Sequence, residues 1–217
     1  QQRVALARAI APSPKVLLLD EPFSGLDASL RARLRDMTLH LVKERNIATV
    51  IVTHDPEEAL FMADWIVLLD QGKIEQQGLP QQLYFEPASP KVVRFFGEVN
   101  SLKGWVNNGR IETELGPLRE TKLPDGTELE VLIRPEAMKV CPVPMLQGAK
   151  VEVEAARSLG RQSELHLGLV GNQDVHLHAR ISGQFLPKSG SQFGIGLDPD
   201  MAYVFHVKPS SRDTWQP

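Results

Sequence analysis

The chain has 217 residues, a net charge of -3 and 42% hydrophobic residues, which is ordinary for a globular protein. A single cysteine, Cys141, excludes an internal disulfide. No apolar run approaches the roughly 20 residues that a membrane-spanning helix needs. No long run of basic residues indicates a nucleic-acid-binding surface, so we expect no nucleic acid partner.

The first predicted helix covers residues 1–11, which are rich in Ala, Leu and Arg and are followed by two prolines. A continuous apolar strand follows at residues 15–19, and a strand without alternation is typical of a parallel sheet covered on both faces. Asp20 and Glu21 come next, at the edge where open α/β sheets bind ligands. Two adjacent acids suit a hard cation and an oriented water, although taken alone they read more simply as a solvated acidic turn.

Asp27 is predicted to cap the next helix, because its side chain can accept from free backbone N–H groups. This helix is expected to run to about Arg45. One apolar stripe at helical spacing should face the sheet; it consists of Leu30, Leu34, Met37 and Leu41.

A second apolar strand, residues 48–53, ends at His54. If the two strands run parallel, His54 lies at the same edge of the sheet as Glu21. The remaining elements alternate, with strands at 65–69 and 73–76 joined by a turn, and helices at 56–63, 79–84 and 89–96. The β-α-β-α-β order predicts an α/β domain with a parallel sheet and helical crossovers over residues 1–97.

Residues 98–217 change to a period of two. Short strands alternate apolar and polar residues and are separated by Gly, Pro, Asn and Asp turns, a pattern that predicts a small all-β barrel. His166, His176 and His178 are the possible metal cluster of this half. His176 and His178 are two residues apart on one strand face, which suits chelation. Because neither a cysteine nor a third placed ligand accompanies this pair, we favour a solvated strand face over a metal site.

Three segments, in the family's order, resemble motifs of ABC-type ATPases. Residues 1–9 are similar to the segment that follows the signature motif. Residues 16–27 resemble the Walker B motif and D-loop, and residues 51–55 resemble the switch-histidine loop. No counterpart of the Walker A loop, the Q-loop or the signature precedes them. We therefore expect the C-terminal part of a P-loop ABC ATPase domain, inactive alone.

The resemblance implies ATP and Mg²⁺ as cofactors and assigns a role to each matching residue. Glu21 would be the general base, and His54 would contact the γ-phosphate. Asp20 would hold Mg²⁺ through water. The D-loop would cross between two ATPase copies and couple their sites; it comprises Ser24, Gly25, Leu26 and Asp27.

Residues 133–136, Ile-Arg-Pro-Glu, resemble an element of the TOBE domain, an OB-like module that follows the ATPase domain in several importers. The resemblance implies that residues 98–217 form a TOBE-like β-barrel regulatory domain. Since the proline stops a strand, we expect a structural role for the element itself.

The resemblance implies an ATP-hydrolysing, energy-coupling subunit of an ABC importer, peripheral to the cytoplasmic face of the bacterial inner membrane. Its partners would be a second copy of the subunit, transmembrane permease subunits and, indirectly, a periplasmic or extracellular substrate-binding protein. The arrangement of the tail favours ferric iron as cargo, with polyamine, sulfate, molybdate and sugar as alternatives. Two other classes stay open: a non-hydrolytic regulatory or dimerisation fragment, and a DNA-repair ATPase, whose coiled coils or zinc modules this segment lacks.

Overall fold

The computed structural model describes residues 2–142 and 148–207. The chain divides into two units, Gln1–Glu86 (unit 1) and Pro87–Pro217 (unit 2). This division lies eleven residues before the domain boundary that the sequence predicts after residue 97. The domain boundary itself stays a prediction. Gln1, where the first predicted helix begins, lies outside the described residues, and so do residues 208–217 at the end of the predicted β-rich domain. No helix in the described ranges is long and apolar enough to cross a membrane.

Unit 1 alternates helices with short strands, as the sequence predicts. Asp27 accepts a hydrogen bond from the Leu30 N–H and caps α2, as predicted. Proline occupies the first turn of α3 and of α4, where its missing N–H costs nothing. The elements are α1 (Gln2–Ile10), β1 (Val16–Asp20), α2 (Ala28–Glu44), β2 (Ala48–Val52), α3 (Pro56–Met62), β3 (Ile66–Asp70), β4 (Lys73–Gly78) and α4 (Pro80–Phe85).

Strands β1 and β2 are parallel, with Asp20 opposite Val52 at their carboxyl ends. Strand β3 does not extend this sheet. It pairs antiparallel with β4 in a separate two-stranded sheet. The prediction of one parallel sheet for all three strands is therefore wrong for the described residues. Gln71 and Gly72 both have positive φ, 48° and 76°, and such a two-residue turn makes the next strand the nearest partner.

Strand β1 is covered on one face only. Leu17 packs against Ile10 of α1 and Val42 of α2, whereas Leu18 on the opposite face is 73% exposed. The expected burial on both faces is therefore wrong within the described residues. Helices α1 and α2 both contribute to the covered face, so Val16 to Leu19 of β1 alternate between more exposed and more buried positions although all four are apolar.

The buried stripe of α2 is Leu34, Thr38 and Val42. Leu34 confirms the prediction, but Met37 is exposed and Thr38 takes the place expected for an apolar residue. A spacing of four residues keeps these side chains on one line of the helix. Thr38 tolerates burial because its hydroxyl donates to the Leu34 carbonyl at 2.7 Å.

In its described residues, unit 2 consists of one short α-helix followed by antiparallel strands. The prediction that the strands of an all-β part begin after residue 97 is confirmed for these residues. A single turn of 3₁₀ helix, Pro135–Ala137, separates β8 from β9, and another, Pro199–Met201, precedes β14. The elements are α5 (Pro90–Phe95), β5 (Asn100–Asn107), β6 (Arg110–Thr113), β7 (Gly116–Glu120), β8 (Glu128–Ile133), β9 (Met138–Pro142), β10 (Lys150–Ser158), β11 (Gln162–Leu169), β12 (Asn172–Ser182), β13 (Gln192–Leu197) and β14 (Ala202–His206).

The strands form two five-stranded sheets, in the orders β14-β8-β5-β6-β7 and β12-β11-β10-β13-β9. Both sheets contribute to one apolar core. The predicted alternation holds on β10, β11 and β12, whose inward side chains are buried. These are Val151, Val153, Leu165, Leu167, Leu177 and Ala179.

The Ile-Arg-Pro-Glu element lies where β8 ends. Ile133 and Arg134 are buried, and the Arg134 guanidinium carbon lies 5.7 Å from the centre of the Tyr203 ring. Pro135 begins the 3₁₀ turn that follows. The burial of this arginine between β8 and β14 supports the expected structural role.

Candidate catalytic site at the ends of two parallel strands

The candidate site begins where β1 and β2 end side by side. Asp20 is the last residue of β1, and its exposed side chain lies at this edge. The Glu21 N–H donates to the Val52 carbonyl at 2.8 Å, so the parallel pairing continues one residue past β1. The carboxyl end of this pair therefore presents two acidic side chains, as the sequence predicts.

Glu21 has a backbone φ of 42°, in the left-handed region that few non-glycine residues adopt. Such a conformation costs about 1–3 kcal/mol and persists when its surroundings hold it. The Glu21 carbonyl accepts from both the backbone N–H and the hydroxyl of Ser24, at 3.2 and 3.0 Å. Ser24 thus closes the turn that directs the Glu21 side chain away from the strand.

The Glu21 carboxylate contacts His54, which follows β2. The distance from Glu21 Oε1 to His54 Nδ1 is 3.0 Å, with the two side chains 48% and 75% exposed. Because an ionised carboxylate only accepts, Nδ1 carries the proton in this contact. The second carboxylate oxygen and the Nε2 atom of His54 are left for a ligand or water. The two residues that the sequence placed at one edge therefore lie together.

The segment from Ser24 to Asp27 connects Glu21 to α2. Gly25 has a φ of 70°, which a side chain would disfavour. The Asp27 carboxylate is committed to capping α2. Ser24 and Gly25 line the cleft beside Glu21, whereas Leu26, Asp27 and the predicted magnesium ligand Asp20 do not.

The loop that carries His54 is fixed by its neighbours. Asp55 Oδ1 accepts from the N–H groups of Glu57 and Glu58 and caps α3. Thr53 Oγ1 accepts from the Asp55 N–H at 3.0 Å and donates to Glu58 Oε2 at 2.7 Å. Glu58 is buried at 4% exposure, so this donor satisfies a carboxylate that would otherwise be costly to bury.

The sequence analysis gave no site role to four residues that line this cleft: Arg31, Thr53, Asp55 and Glu58. Arg31 Nη1 donates to Asp55 Oδ2, and Arg31 Nη2 donates to the Leu26 carbonyl, both at 3.2 Å. The position of Arg31, four residues after a helix cap, places it in the first turn of α2. Its partner could not be identified without the packing of α2 against the His54 loop.

The donor set of the cleft suits one end of a Mg²⁺·ATP site. Carboxylates, hydroxyls and an imidazole are groups that orient a water and hold a hydrated Mg²⁺. The cleft has a volume of about 90 Å³, too small for a nucleotide. The 217 residues also contain no GxxxxGK[ST] phosphate loop. The donors of the cleft are therefore compatible with a phosphate group and its water, and the cleft itself does not hold a whole nucleotide.

The three histidines of the possible metal cluster, His166, His176 and His178, do not converge. His176 Nδ1 lies 3.0 Å from Glu154 Oε1, whereas the His166 and His178 rings stack with centres 4.5 Å apart. His178 instead lies near Glu98 and Glu164, with one potential ligand atom of each within 4.8 Å of the others.

The cation at this second cluster is Arg180. It forms ion pairs with the carboxylates of both Glu98 and Glu164, so one of the two negative charges that would attract a metal is already compensated. We therefore interpret the cluster as an ion-pair network on the sheet face. The interpretation of His166, His176 and His178 as a solvated strand face stays a prediction.

The chain is similar to known proteins over part of unit 2 and, in other cases, over nearly its whole length. Residues 131–205 match the family model of the TOBE domain. The chain is 41% identical over 180 residues to a sulfate/thiosulfate import ATP-binding protein of Shewanella oneidensis, covering 82% of this chain and 51% of that protein. The chain is related to ABC-transporter ATP-binding subunits that carry a TOBE domain.

Two further relatives extend this comparison. The sulfate/thiosulfate import ATP-binding protein of Escherichia coli is 36% identical over 216 residues, covering 98% of this chain and 59% of that protein. The spermidine/putrescine import ATP-binding protein of Nitratidesulfovibrio vulgaris is 46% identical over 149 residues, covering 64% of this chain and 40% of that protein. The chain therefore spans about half the length of these relatives.

Proposed function

We propose that this chain is part of the ATP-hydrolysing subunit of an ABC importer. It would contribute the catalytic carboxylate and the regulatory domain of that subunit. The observation that carries the proposal is the Glu21–His54 contact of 3.0 Å at the carboxyl ends of two parallel strands. The relatives named for ATP-binding import proteins support it over nearly the whole chain.

In this proposal, Glu21 orients the attacking water through its free carboxylate oxygen and accepts its proton. His54 Nδ1–H holds the other Glu21 oxygen in place, and Nε2, when it also carries a proton, would donate to the γ-phosphate. Asp20 would hold Mg²⁺ through water, and residues 24–27 would contact the second copy of the subunit. Bound Mg²⁺·ATP supplies the phosphoryl group and the charge neutralisation that its transfer needs.

The partners follow from the same proposal. The subunit works as a homodimer on permease subunits at the cytoplasmic face of the inner membrane, and a substrate-binding protein delivers the cargo. Closure of the two ATPase copies on ATP drives the permease between its two states. Unit 2 contributes the regulatory TOBE domain.

For the cargo we propose sulfate or thiosulfate, with polyamine as the nearest rival. Two of the relatives above are named for sulfate/thiosulfate import, and one of these aligns over 98% of the chain. The third is named for spermidine and putrescine. The ferric-iron hypothesis drawn from the tail has no support among these relatives, so it becomes a third arm of the test.

The proposal is tested in the protein expressed from the complete gene, by measuring ATP hydrolysis and labelled uptake in cells that lack the gene. Glu21→Gln keeps the size of the side chain but removes the base, so turnover should fall by about 10²-fold or more while ATP still binds. Glu44→Gln, an exposed glutamate at the end of α2, is the matched control and should leave turnover unchanged.

Uptake of labelled sulfate, putrescine and Fe³⁺ then separates the cargoes. Restoration of sulfate uptake alone supports the assignment, and restoration of another cargo replaces it. If Glu21→Gln hydrolyses ATP within a few-fold of the parent protein, Glu21 is not the base and the proposed mechanism is wrong.

A further inference from the structure

Arg31 joins the two loops that carry the candidate site. It belongs to the first turn of α2, where its own N–H donates to the Asp27 carbonyl at 2.9 Å, so its backbone is held by the helix. One end of its guanidinium reaches the Leu26 carbonyl in the D-loop, and the other reaches the Asp55 carboxylate beside His54.

The two oxygens of Asp55 have separate functions. Oδ1 caps α3, and Oδ2 accepts from Arg31. Both neighbours of His54 in the chain are hydrogen-bonded to helices: Thr53 to Glu58 of α3, and Asp55 to Arg31 of α2. The contact with Arg31 is the connection from this loop to the segment that follows Glu21.

The shape of the arginine matters more than its charge. A planar guanidinium presents donors in a fixed fork and can hold two acceptors at once, whereas a lysine ammonium is a point charge on a flexible stem. The side chains of Arg31 and Asp55 are 37% and 21% exposed, so solvent screens part of the attraction between their charges. The geometry of the two hydrogen bonds therefore contributes more to the link than the attraction between the charges does.

We propose that Arg31 is a positioning residue that ties the D-loop to the His54 loop and so sets the distance between His54 and Glu21. This inference rests on the proposed function. A displacement of the D-loop is passed by the Arg31 fork to Asp55 and from there to His54. A shift of about 1 Å in a catalytic group can cost on the order of 10²-fold in rate.

The test uses the protein expressed from the complete gene. Arg31→Gln should lower kcat for ATP hydrolysis by about 10- to 100-fold with KM for ATP nearly unchanged, because the contact orients the site without touching the nucleotide. Arg31→Lys should recover only part of kcat. The matched control is Arg33→Gln, which removes an exposed arginine from the same helix and should change neither constant.

Asp55→Asn separates the two functions of that carboxylate, since asparagine still caps a helix but loses the charged acceptor. In a double-mutant cycle, Arg31→Gln and Asp55→Asn should be strongly non-additive in kcat. The ¹³C-labelled imidazole resonance of His54 should also shift in Arg31→Gln and not in Arg33→Gln. A purely structural role would lower the melting temperature without moving kcat per folded molecule or this resonance.

The outcomes distinguish this inference from the proposed function. If Glu21→Gln abolishes turnover but Arg31→Gln behaves like Arg33→Gln, the positioning role is wrong and the ATPase assignment stands. If Glu21→Gln leaves turnover intact, the proposed function itself fails.

Discussion

Asn100 connects the two sheets of unit 2 through its side chain. It is 5% exposed at the start of β5, in the first sheet, and its partner is His178 on β12, at the edge of the second sheet. Asn100 Oδ1 accepts from the His178 N–H at 2.7 Å, and Nδ2 donates to the His178 carbonyl at 2.9 Å. A third contact, from Nδ2 to the Ile133 carbonyl, is long at 3.4 Å.

Asn100→Ala removes these contacts and leaves two backbone groups of His178 without partners. An unsatisfied backbone group costs about 1–3 kcal/mol, and the lower half of that range applies because His178 is only part-buried. The long contact adds little. The two shorter bonds therefore predict a loss of about 2–4 kcal/mol in the free energy of unfolding of unit 2.

Amide hydrogen exchange measured by NMR tests this prediction at a single site. The exchange rate of the His178 amide should rise by roughly 30-fold or more in Asn100→Ala, since each 1.4 kcal/mol corresponds to about tenfold. Asn107→Ala, at the exposed far end of the same strand, is the matched control and should change stability by less than about 0.5 kcal/mol.

Asn100→Asp refines the assay. Aspartate keeps the acceptor for the His178 N–H but places an oxygen against the His178 carbonyl, so unit 2 should lose stability while that amide stays partly protected. An unchanged His178 exchange rate in Asn100→Ala, or equal effects of the Asn100 and Asn107 alanine variants, would refute the reasoning.

Two further predictions concern the stability of unit 1, and a third concerns the whole chain. Asp27→Ala should lower stability by about 0.5–2 kcal/mol through loss of the α2 cap, while Asp27→Asn should retain most of it, as measured by urea denaturation. Leu83→Ala, at a fully buried position of α4, should cost about 2–5 kcal/mol, and equal denaturation midpoints for it and exposed Leu79→Ala would contradict this. The 217-residue chain alone should release no phosphate from ATP above a buffer blank, because it contains no phosphate loop; release that disappears in Glu21→Gln would overturn this expectation.

The sequence alone predicts those features that depend on neighbours along the chain. The cap at Asp27, the β1-α2-β2 order and the alternation on β10 to β12 arise from backbone capping, hydrophobic periodicity and chain connectivity, all of which act over a few residues. The expectation that Glu21 and His54 share one edge also follows from this level, since the ends of parallel strands meet.

Only the tertiary structure decided the contacts between distant residues. The left-handed backbone of Glu21, the Arg31 fork between Leu26 and Asp55, and the pairing of Asn100 with His178 join segments whose distance in the chain gives no signal. The same holds for β1, whose apolar residues alternate between more exposed and more buried positions because both packing helices cover one face. Local patterns determine which residues can be buried or bonded, whereas the packing of whole elements determines which partner each one meets.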